Sequence, residues 1–137
     1  MSGYLLDTNI CIFHLRGKFA IDKKIDSVGL DKCAISEITV AELKYGATLG
    51  KKMNVQSRNQ NLDAFLNNIK ILPIYDAIDL YAEEKSRLRL AGTPADDDFD
   101  LLIGCTSIVN DLTPVTDNID DFKRINGIKI ENWIVRN

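Results

Sequence analysis

The sequence has 137 residues, 45% of them hydrophobic and 27% charged, and this composition is typical of one soluble globular domain, which we expect to span residues 1–137. No apolar run approaches the roughly 20 residues that cross a bilayer, and the N-terminus does not resemble a signal peptide, so a cytoplasmic protein with no membrane partner is expected. Taken alone, the formal net charge of −3 argues weakly against a nucleic-acid partner, since phosphate binding usually needs a basic surface.

Short apolar runs alternate with helical patterns along the whole chain. In chain order, the patterns predict a strand over 4–6, a helix over 10–15, a strand over 33–35, a helix over 37–50, a loop over 51–61, a helix over 62–68, a strand over 69–74, a helix over 76–92, a loop over 93–99, a helix over 100–109 and strands over 113–116 and 128–135. This alternation predicts a three-layer α/β/α fold with a parallel sheet of four to five strands.

Several element boundaries are predicted from single residues. Gly50 and Gly92 are expected to stop their helices, and Asp76 is expected to be the N-cap of the longest one. The segment "DLLIGCTSIV" is too apolar for a surface helix and should pack centrally. Because proline cannot donate to a sheet, Pro114 is expected to be the first residue of its strand.

Four acids that are distant in sequence are expected to meet at one edge of this sheet. Sites in open parallel sheets form at the carboxyl ends of strands. Asp7 ends the first predicted strand, Glu42 lies in the helix after the second, Asp100 opens the apolar helix, and Asp117 ends the fourth strand. Carboxylates without basic partners repel one another, and a hard divalent cation such as Mg²⁺ relieves that repulsion. The pattern indicates metal-assisted hydrolysis of a phosphodiester.

Each acid also has a structural alternative. Asp7 and Asp100 are suitable helix N-caps, and Asp117 suits a turn. Glu42 completes a capping box, Thr-x-x-Glu, with Thr39. The acids Asp96–Asp98 suit a solvated loop. The sole histidine, His14, excludes a histidine-rich metal site, and the scattered cysteines, Cys11, Cys33 and Cys105, favour reduced thiols over disulfides or zinc ligands.

The chain resembles a PIN-domain ribonuclease, specifically a VapC-type toxin of bacterial toxin–antitoxin modules. The resemblance is carried by the segments "YLLDTNICIF", "CAISEITVAELKYGA", "GTPADDDFDLLIGCTS", "LTPVTDNIDDF" and "INGIKIENW". It implies that Asp7, Glu42 and Asp100 bind the metal, Mg²⁺ or Mn²⁺. The fourth position is Asp117 or its neighbour Asn118, and Asp98 is a further candidate. Thr8, Asn9 and Thr116 would hold the ligands by hydrogen bonds.

The resemblance also implies partners. The substrate would be RNA, often structured RNA such as tRNA, and the chain would form a homodimer inhibited by a cognate VapB-type antitoxin. Tyr45, Leu49 and Met53, at helical spacing, would line the antitoxin groove or pack in the core. Three basic groups are candidates for phosphate contacts or for solvated faces: Arg16, Lys18, Lys23 and Lys24; Lys51, Lys52 and Arg58; and Lys85, Arg87 and Arg89.

Two other functions compete with the nuclease. "LLDTN" faintly resembles the opening of haloacid-dehalogenase-like phosphatases, but those need a second aspartate where Asn9 stands. The second alternative is a PIN-like module that binds a partner protein without catalysis. Asp7, Glu42 and Asp100 argue against that alternative, and a magnesium-dependent nuclease assay separates it from the nuclease.

Overall fold

The structure is a computed structural model that describes residues 3–54 and 61–136. Most of the predicted loop over residues 51–61, including Arg58, lies outside this range. Four strands form one parallel sheet in the order β3-β2-β1-β4: β1 (Gly3–Leu6), β2 (Cys33–Ser36), β3 (Lys70–Leu72) and β4 (Leu112–Val115). The predicted parallel sheet is confirmed, with four strands.

Helices cover both faces of the sheet, so the predicted three-layer fold is confirmed. They are α1 (Thr8–Leu15), α2 (Ile21–Val28), α3 (Glu37–Lys52), α4 (Leu62–Asn68), α5 (Ile78–Leu90), α6 (Asp98–Val109) and α7 (Ile119–Phe122). Among the described residues, no helix is long and apolar enough to cross a membrane.

The core divides according to the alternation of side chains along the strands. Leu6, Ile35 and Val115 point to one face and pack with residues of α1 to α4. Leu5 points to the other face, where it packs with Ile103 of α6. A buried side chain of this size stabilises the fold by about 1.5–3 kcal/mol. The central strand β1 is therefore buried on both faces, as its unbroken apolar run requires.

Several predicted helix boundaries were wrong. The third helix runs through Gly50, which is buried in its last turn, and ends at Lys52. Asp76 lies in a short 3-10 turn before α5, whose N-cap is Ala77. Gly92, by contrast, follows the end of α5 with φ of 79°, as a C-terminal stop requires.

Two helices were not predicted at all. The second helix buries only Ile21 and Ile25, one turn apart, and its N-cap Ala20 makes no side-chain bond. Only these two apolar residues in its sequence therefore indicate a buried helical face. The last helix, α7, is a single turn of four residues. Helices this short or this polar depend on tertiary packing and carry little local signal.

The region of the predicted fifth strand differs from expectation. Within residues 3–54 and 61–136, residues 128–135 contribute only an isolated bridge, in which Glu131 lies parallel to Val115. Pro114 is the third residue of β4, not its first. Its carbonyl accepts from the N–H of Glu131 on the outer side of this edge strand. A donor missing on that side does not interrupt the pairing of β4 with β1.

Candidate functional site

The acids meet where the strand order reverses. From β1 the chain continues to β2 and β3 on one side of the sheet, and later returns to add β4 on the other side of β1. The crevice beyond the carboxyl ends of β1 and β4 is the point at which open α/β sheets bind ligands. Asp7 follows β1, and its backbone N–H donates to the carbonyl of Val115 at the end of β4 (2.9 Å).

Asp7 is buried, with 3% of its surface exposed, and is held by two neutral donors. The N–H of Thr8 donates to Oδ1 at 2.8 Å, which makes Asp7 the N-cap of α1. The hydroxyl of Thr116 donates to Oδ2 at 2.8 Å. The capping alternative is thus also true of Asp7. The capping bond uses only Oδ1, and each carboxylate oxygen of Asp7 retains a lone pair for a further ligand.

Glu42 reaches the same place from the middle of α3. The hydroxyl of Thr8 donates to its Oε1 at 2.7 Å. The capping-box alternative is wrong, because the N-cap of α3 is Ser36, whose hydroxyl accepts from the N–H of Ile38 (3.0 Å). Thr39 instead hydrogen-bonds its hydroxyl to that of Thr8 (3.0 Å). One threonine on α1 therefore connects two residues of α3 to the Asp7 turn.

Asp100 is the third residue of α6, and its capping alternative is wrong as well. The N-cap is Asp97, whose Oδ1 accepts from the N–H of Phe99 at 2.8 Å. The amide of Asn118 donates to Oδ2 of Asp100 at 3.1 Å and to Oδ2 of Asp121 at 2.6 Å. A single neutral side chain thus holds two carboxylates side by side.

The electrostatics of the site show that these acids form one cluster. Burial raises the pKa of Asp7 to about 6, and the charges of Glu42 and Asp97 add to the increase. Burial also raises the pKa of Asp100 to about 7, with further contributions from Asp7, Asp97, Asp121 and Glu42. Among the described residues, no lysine or arginine forms an ion pair with any of these five acids. The cluster therefore concentrates negative charge that no side chain cancels.

Two of the candidate acids are engaged elsewhere. The structure does not bring Asp117 into the cluster, because Arg136 donates to both of its oxygens (2.9 and 2.6 Å) and Asn132 donates to Oδ1 (3.1 Å). Asp98 forms an ion pair with Lys85 at 2.9 Å and accepts from the hydroxyl of Tyr81 at 3.0 Å. Each pairing lowers the pKa of the acid below its usual value.

Sequence reasoning missed the part played by Asp97 and Asp121. Asp97 belongs to a run of three acids that suits a loop, but an aspartate two residues before an apolar helical run also fits an N-cap. Asp121 stands three residues after Asn118, a spacing that places both on one side of a helical turn. This spacing is informative only if the segment is helical, and the sequence pattern does not predict the turn α7.

The structure also locates the residues predicted for the antitoxin groove and for phosphate contacts. Tyr45, Leu49 and Met53 are 68%, 39% and 65% exposed, so the core-packing alternative for them is wrong. Lys85 and Arg87 are held by Asp98 and Glu84. Lys24 lies over the ring of the buried Trp133.

The donor set fits a magnesium-type ion. In the part of the chain that the structure describes, no three His, Cys, Asp or Glu side chains already surround a single metal position. Mg²⁺ does not require such a cage, because it keeps several waters and is usually bound by one or two carboxylates. The buried Asp7 and the half-buried Asp100, which have raised pKa values, are held by hydroxyl and amide donors and pair with no cation among the described residues, supply that chemistry.

Comparison with known proteins identifies the family of the chain. The model of the PIN domain matches residues 4–128. Ribonuclease VapC2 of Rickettsia felis is 36% identical over 95% of this chain and 97% of its own length. The tRNA(fMet)-specific endonuclease VapC of Shigella flexneri is 34% identical over 97% of this chain and 99% of its own length. In the crystal structure of VapBC2 from Rickettsia felis bound to a promoter DNA fragment, a chain 32% identical superposes with a TM-score of 0.83, covering 95% of this chain and 98% of that one.

Proposed function

This chain belongs to the PIN-domain family, in its VapC branch, and we propose that it is an endoribonuclease toxin that depends on a divalent metal ion. The observation that carries the proposal is the cluster of Asp7, Glu42 and Asp100, which is built from three separate elements and contains no paired cation among the described residues. Relatives that match nearly end to end are named ribonucleases and endonucleases.

Asp7, Glu42 and Asp100 are the residues that would hold the ion, Mg²⁺ or Mn²⁺. When bound, the ion supplies a water of lowered pKa as the nucleophile and offsets charge on the leaving oxygen. The chain's own contribution is orientation. Thr8 fixes Glu42 relative to Asp7, and Thr116 fixes Asp7 relative to the end of β4. Because all these donors are neutral, they orient the carboxylates without cancelling their charge.

The substrate we infer is RNA, with structured RNA such as tRNA as the first candidate. Relatives from Shigella flexneri and Salmonella typhimurium are named tRNA(fMet)-specific endonucleases, and they are 34% and 32% identical to this chain. Phosphate groups approaching a cluster of acids need a cation between them. A bound divalent ion meets that need, which connects metal binding to substrate binding.

We also infer a VapB-type antitoxin as the protein partner and a homodimer as the assembly. Structural neighbours are VapBC complexes. Tyr45 and Leu49 on α3 and Met53 just after its end form an exposed apolar stripe, which offers a surface for an apolar segment of such a partner. The three cysteines are free and buried, which agrees with a reducing, cytoplasmic setting.

The test is cleavage of total tRNA and of a tRNA(fMet) transcript by purified protein with Mg²⁺, with Mn²⁺ and with EDTA. Asp7→Asn and Asp100→Asn are compared with Asp120→Asn. Asp120 is a suitable control because it is an acid near the site whose side chain is 87% exposed and paired with Lys123.

We expect cleavage that is lost in EDTA and in both cluster variants and retained in Asp120→Asn. Loss of one cluster carboxylate should reduce the rate at least 100-fold. Cleavage that survives both Asp7→Asn and Asp100→Asn would show that the activity resides elsewhere. A folded protein that binds Mg²⁺ and cleaves no RNA would favour the alternative of a protein-binding module without catalysis.

A further inference from the structure

We propose that Arg136 contacts a phosphate of the RNA beside the acid cluster, and that Asp117 is the residue that positions it for that contact. This inference rests on the proposed function and assigns Asp117 a different task from the one its sequence position suggests. It comes from the ion pair between these two residues at the rim of the site.

Arg136 is tied to the segment that supplies hydrogen bonds to the acid cluster. Its partner Asp117 stands between Thr116, which donates to Asp7, and Asn118, which donates to Asp100 and Asp121. The N–H of Asp117 also donates to Oδ1 of Asn9 at 3.4 Å. The guanidinium is therefore anchored to a residue whose two chain neighbours bond acids of the cluster.

The guanidinium is oriented from two sides. Nη1 and Nη2 donate to the two oxygens of Asp117 at 2.9 and 2.6 Å, a bidentate arrangement that fixes the plane of the group. The ring of Phe19 lies 5.3 Å from its central carbon, which adds a cation–π contact. An arginine held in this way loses less conformational entropy on binding than a free one.

The backbone that places the Phe19 ring against Arg136 is strained. Phe19 and Ala20 are consecutive residues in the left-handed region, with φ of 58° and 53°. For residues other than glycine this costs about 1–2 kcal/mol each. Phe13 packs edge-on against Phe19, with ring centroids 4.9 Å apart. The loop between α1 and α2 thus holds an aromatic ring against a charged group.

Part of the guanidinium remains available. A guanidinium carries five N–H donors, and Asp117 accepts from one on each Nη, so the edge formed by Nε–H and an outer N–H is left. The side chain of Arg136 is 56% exposed, against 22% for that of Asp117. This second edge matches two phosphate oxygens, as arginine forks generally do. Because Asp117 lies between two residues that bond the cluster acids, this edge is available to a phosphate that flanks the one at the proposed metal site.

A purely structural role is the competing explanation. In that case Arg136 only ties the C-terminal segment to the end of β4 through Asp117. Removing either partner would then have the same effect on stability and on activity. The dependence of RNA binding on salt would not change, because no phosphate contact would be lost.

The experiment measures binding of a labelled tRNA(fMet) transcript from 50 to 300 mM KCl with Ca²⁺ in place of Mg²⁺, so that an oxygen-preferring divalent ion is present, and steady-state cleavage with Mg²⁺. The variants are Arg136→Ala, Arg136→Lys and Asp117→Asn. Lys129→Ala is the matched control, since Lys129 is an exposed cation on the same C-terminal segment and its removal changes the net charge equally.

We expect Arg136→Ala to weaken RNA binding about tenfold and to raise KM by a similar factor, with kcat changed less than about twofold. The slope of log affinity against log salt should fall by about 0.7–0.9, the value of one phosphate contact. Arg136→Lys should recover the slope and part of the affinity, because it keeps the charge and loses the fork. Asp117→Asn should raise KM by less than Arg136→Ala and leave the slope unchanged.

The inference is overturned if Arg136→Ala keeps the wild-type salt slope, if it matches Lys129→Ala, or if it behaves identically to Asp117→Asn. Cleavage by the wild-type protein is scored with the same RNA. An absence of cleavage counts against the proposed function, whereas an unchanged slope counts against the role of Arg136, so the two failures are distinct.

Discussion

Replacing Asp100 with asparagine should stabilise the metal-free protein at neutral pH. Asp100 is charged above its pKa of about 7, and its ordinary pKa is 3.8. Folding therefore brings a carboxylate into a place where burial and four other acids oppose its charge. Asparagine has nearly the same shape and can still accept from Asn118, so the substitution removes the charge and keeps the neighbouring bond.

The size of the effect follows from the pKa shift. The rise from 3.8 to about 7 corresponds to roughly 4 kcal/mol as an upper limit, at about 1.4 kcal/mol per pKa unit. Asp100 is only half-buried, and the neighbouring acids can rearrange in solvent, so we expect a gain of about 1–3 kcal/mol. For a chain of this size, that is a rise in Tm of roughly 3–10 °C.

The stability gained by Asp100→Asn should increase as pH rises. Because the pKa of Asp100 is raised in the folded state, the folded protein accommodates the protonated carboxyl group without cost. The ionised carboxylate destabilises the fold, and this cost grows as pH rises from about 4 to about 7. The variant should therefore match the wild type near pH 4 and exceed it fully at pH 8. Urea unfolding in EDTA at these pH values measures the difference.

Two results would refute this reasoning. One is an Asp100→Asn protein that is no more stable than the wild type at pH 8 in EDTA. The other is a gain of the same size at pH 4, which would assign the effect to packing. The control Asp120→Asn should change the free energy of unfolding by less than about 0.5 kcal/mol. With saturating Mg²⁺ the wild type should gain more stability than Asp100→Asn, since only it retains all three proposed ligands.

Three further predictions concern residues around the site and the sheet. Asn118→Asp replaces the shared donor with a further charge, so it should lower stability in EDTA at pH 8 by about 1–3 kcal/mol and increase the stabilisation by Mg²⁺ in thermal melts. Glu84→Ala removes the buried acceptor of Arg87 and of the N–H of Asn126 and should lower the free energy of unfolding by about 2–4 kcal/mol in urea at pH 7. Because the pKa of Glu84 is lowered in the folded state, the stability that Glu84 contributes is lost as pH falls below 4.5. Gly3→Ala would place a methyl group 2.5 Å from the carbonyl oxygen of Lys32 and should lower stability by about 1–3 kcal/mol, whereas Gly46→Ala, with open space around it, should be neutral or stabilising in the same assay.

The parts of the site that the sequence predicts are those set by local pattern. The apolar run before Asp7 marks a buried strand, and an acid at its carboxyl end has to face the edge of the sheet. Glu42 follows from the position of a helix after β2. These inferences need only the identity of the element and its direction, which hydrophobic periodicity supplies.

The parts that it does not predict depend on partners that are distant in sequence. Asp117 and Asn118 are adjacent, but Arg136 takes the first and Asp100 accepts from the second. Which of the two faces the cluster depends on where the C-terminal segment crosses β4. Residues 128–135 were expected to be a regular strand, whereas they form only an isolated bridge with β4. The expected strand therefore did not indicate that Arg136 pairs with Asp117. The role of Asp121 was missed for the same reason, because it depends on a single turn, α7.

The acids of this chain differ in the kind of partner that holds them, and the partner determines what each acid can do. Asp7, Glu42 and Asp100 are held by hydroxyl, amide and backbone donors, which leave the negative charge in place. Asp117 and Glu84 are held by arginines, which cancel it. A net charge of −3 therefore describes neither set: the first concentrates negative charge, which suits a divalent cation, and the second is neutralised within its ion pairs. An acidic protein can act on RNA when its uncancelled acids are confined to the place where a metal ion binds.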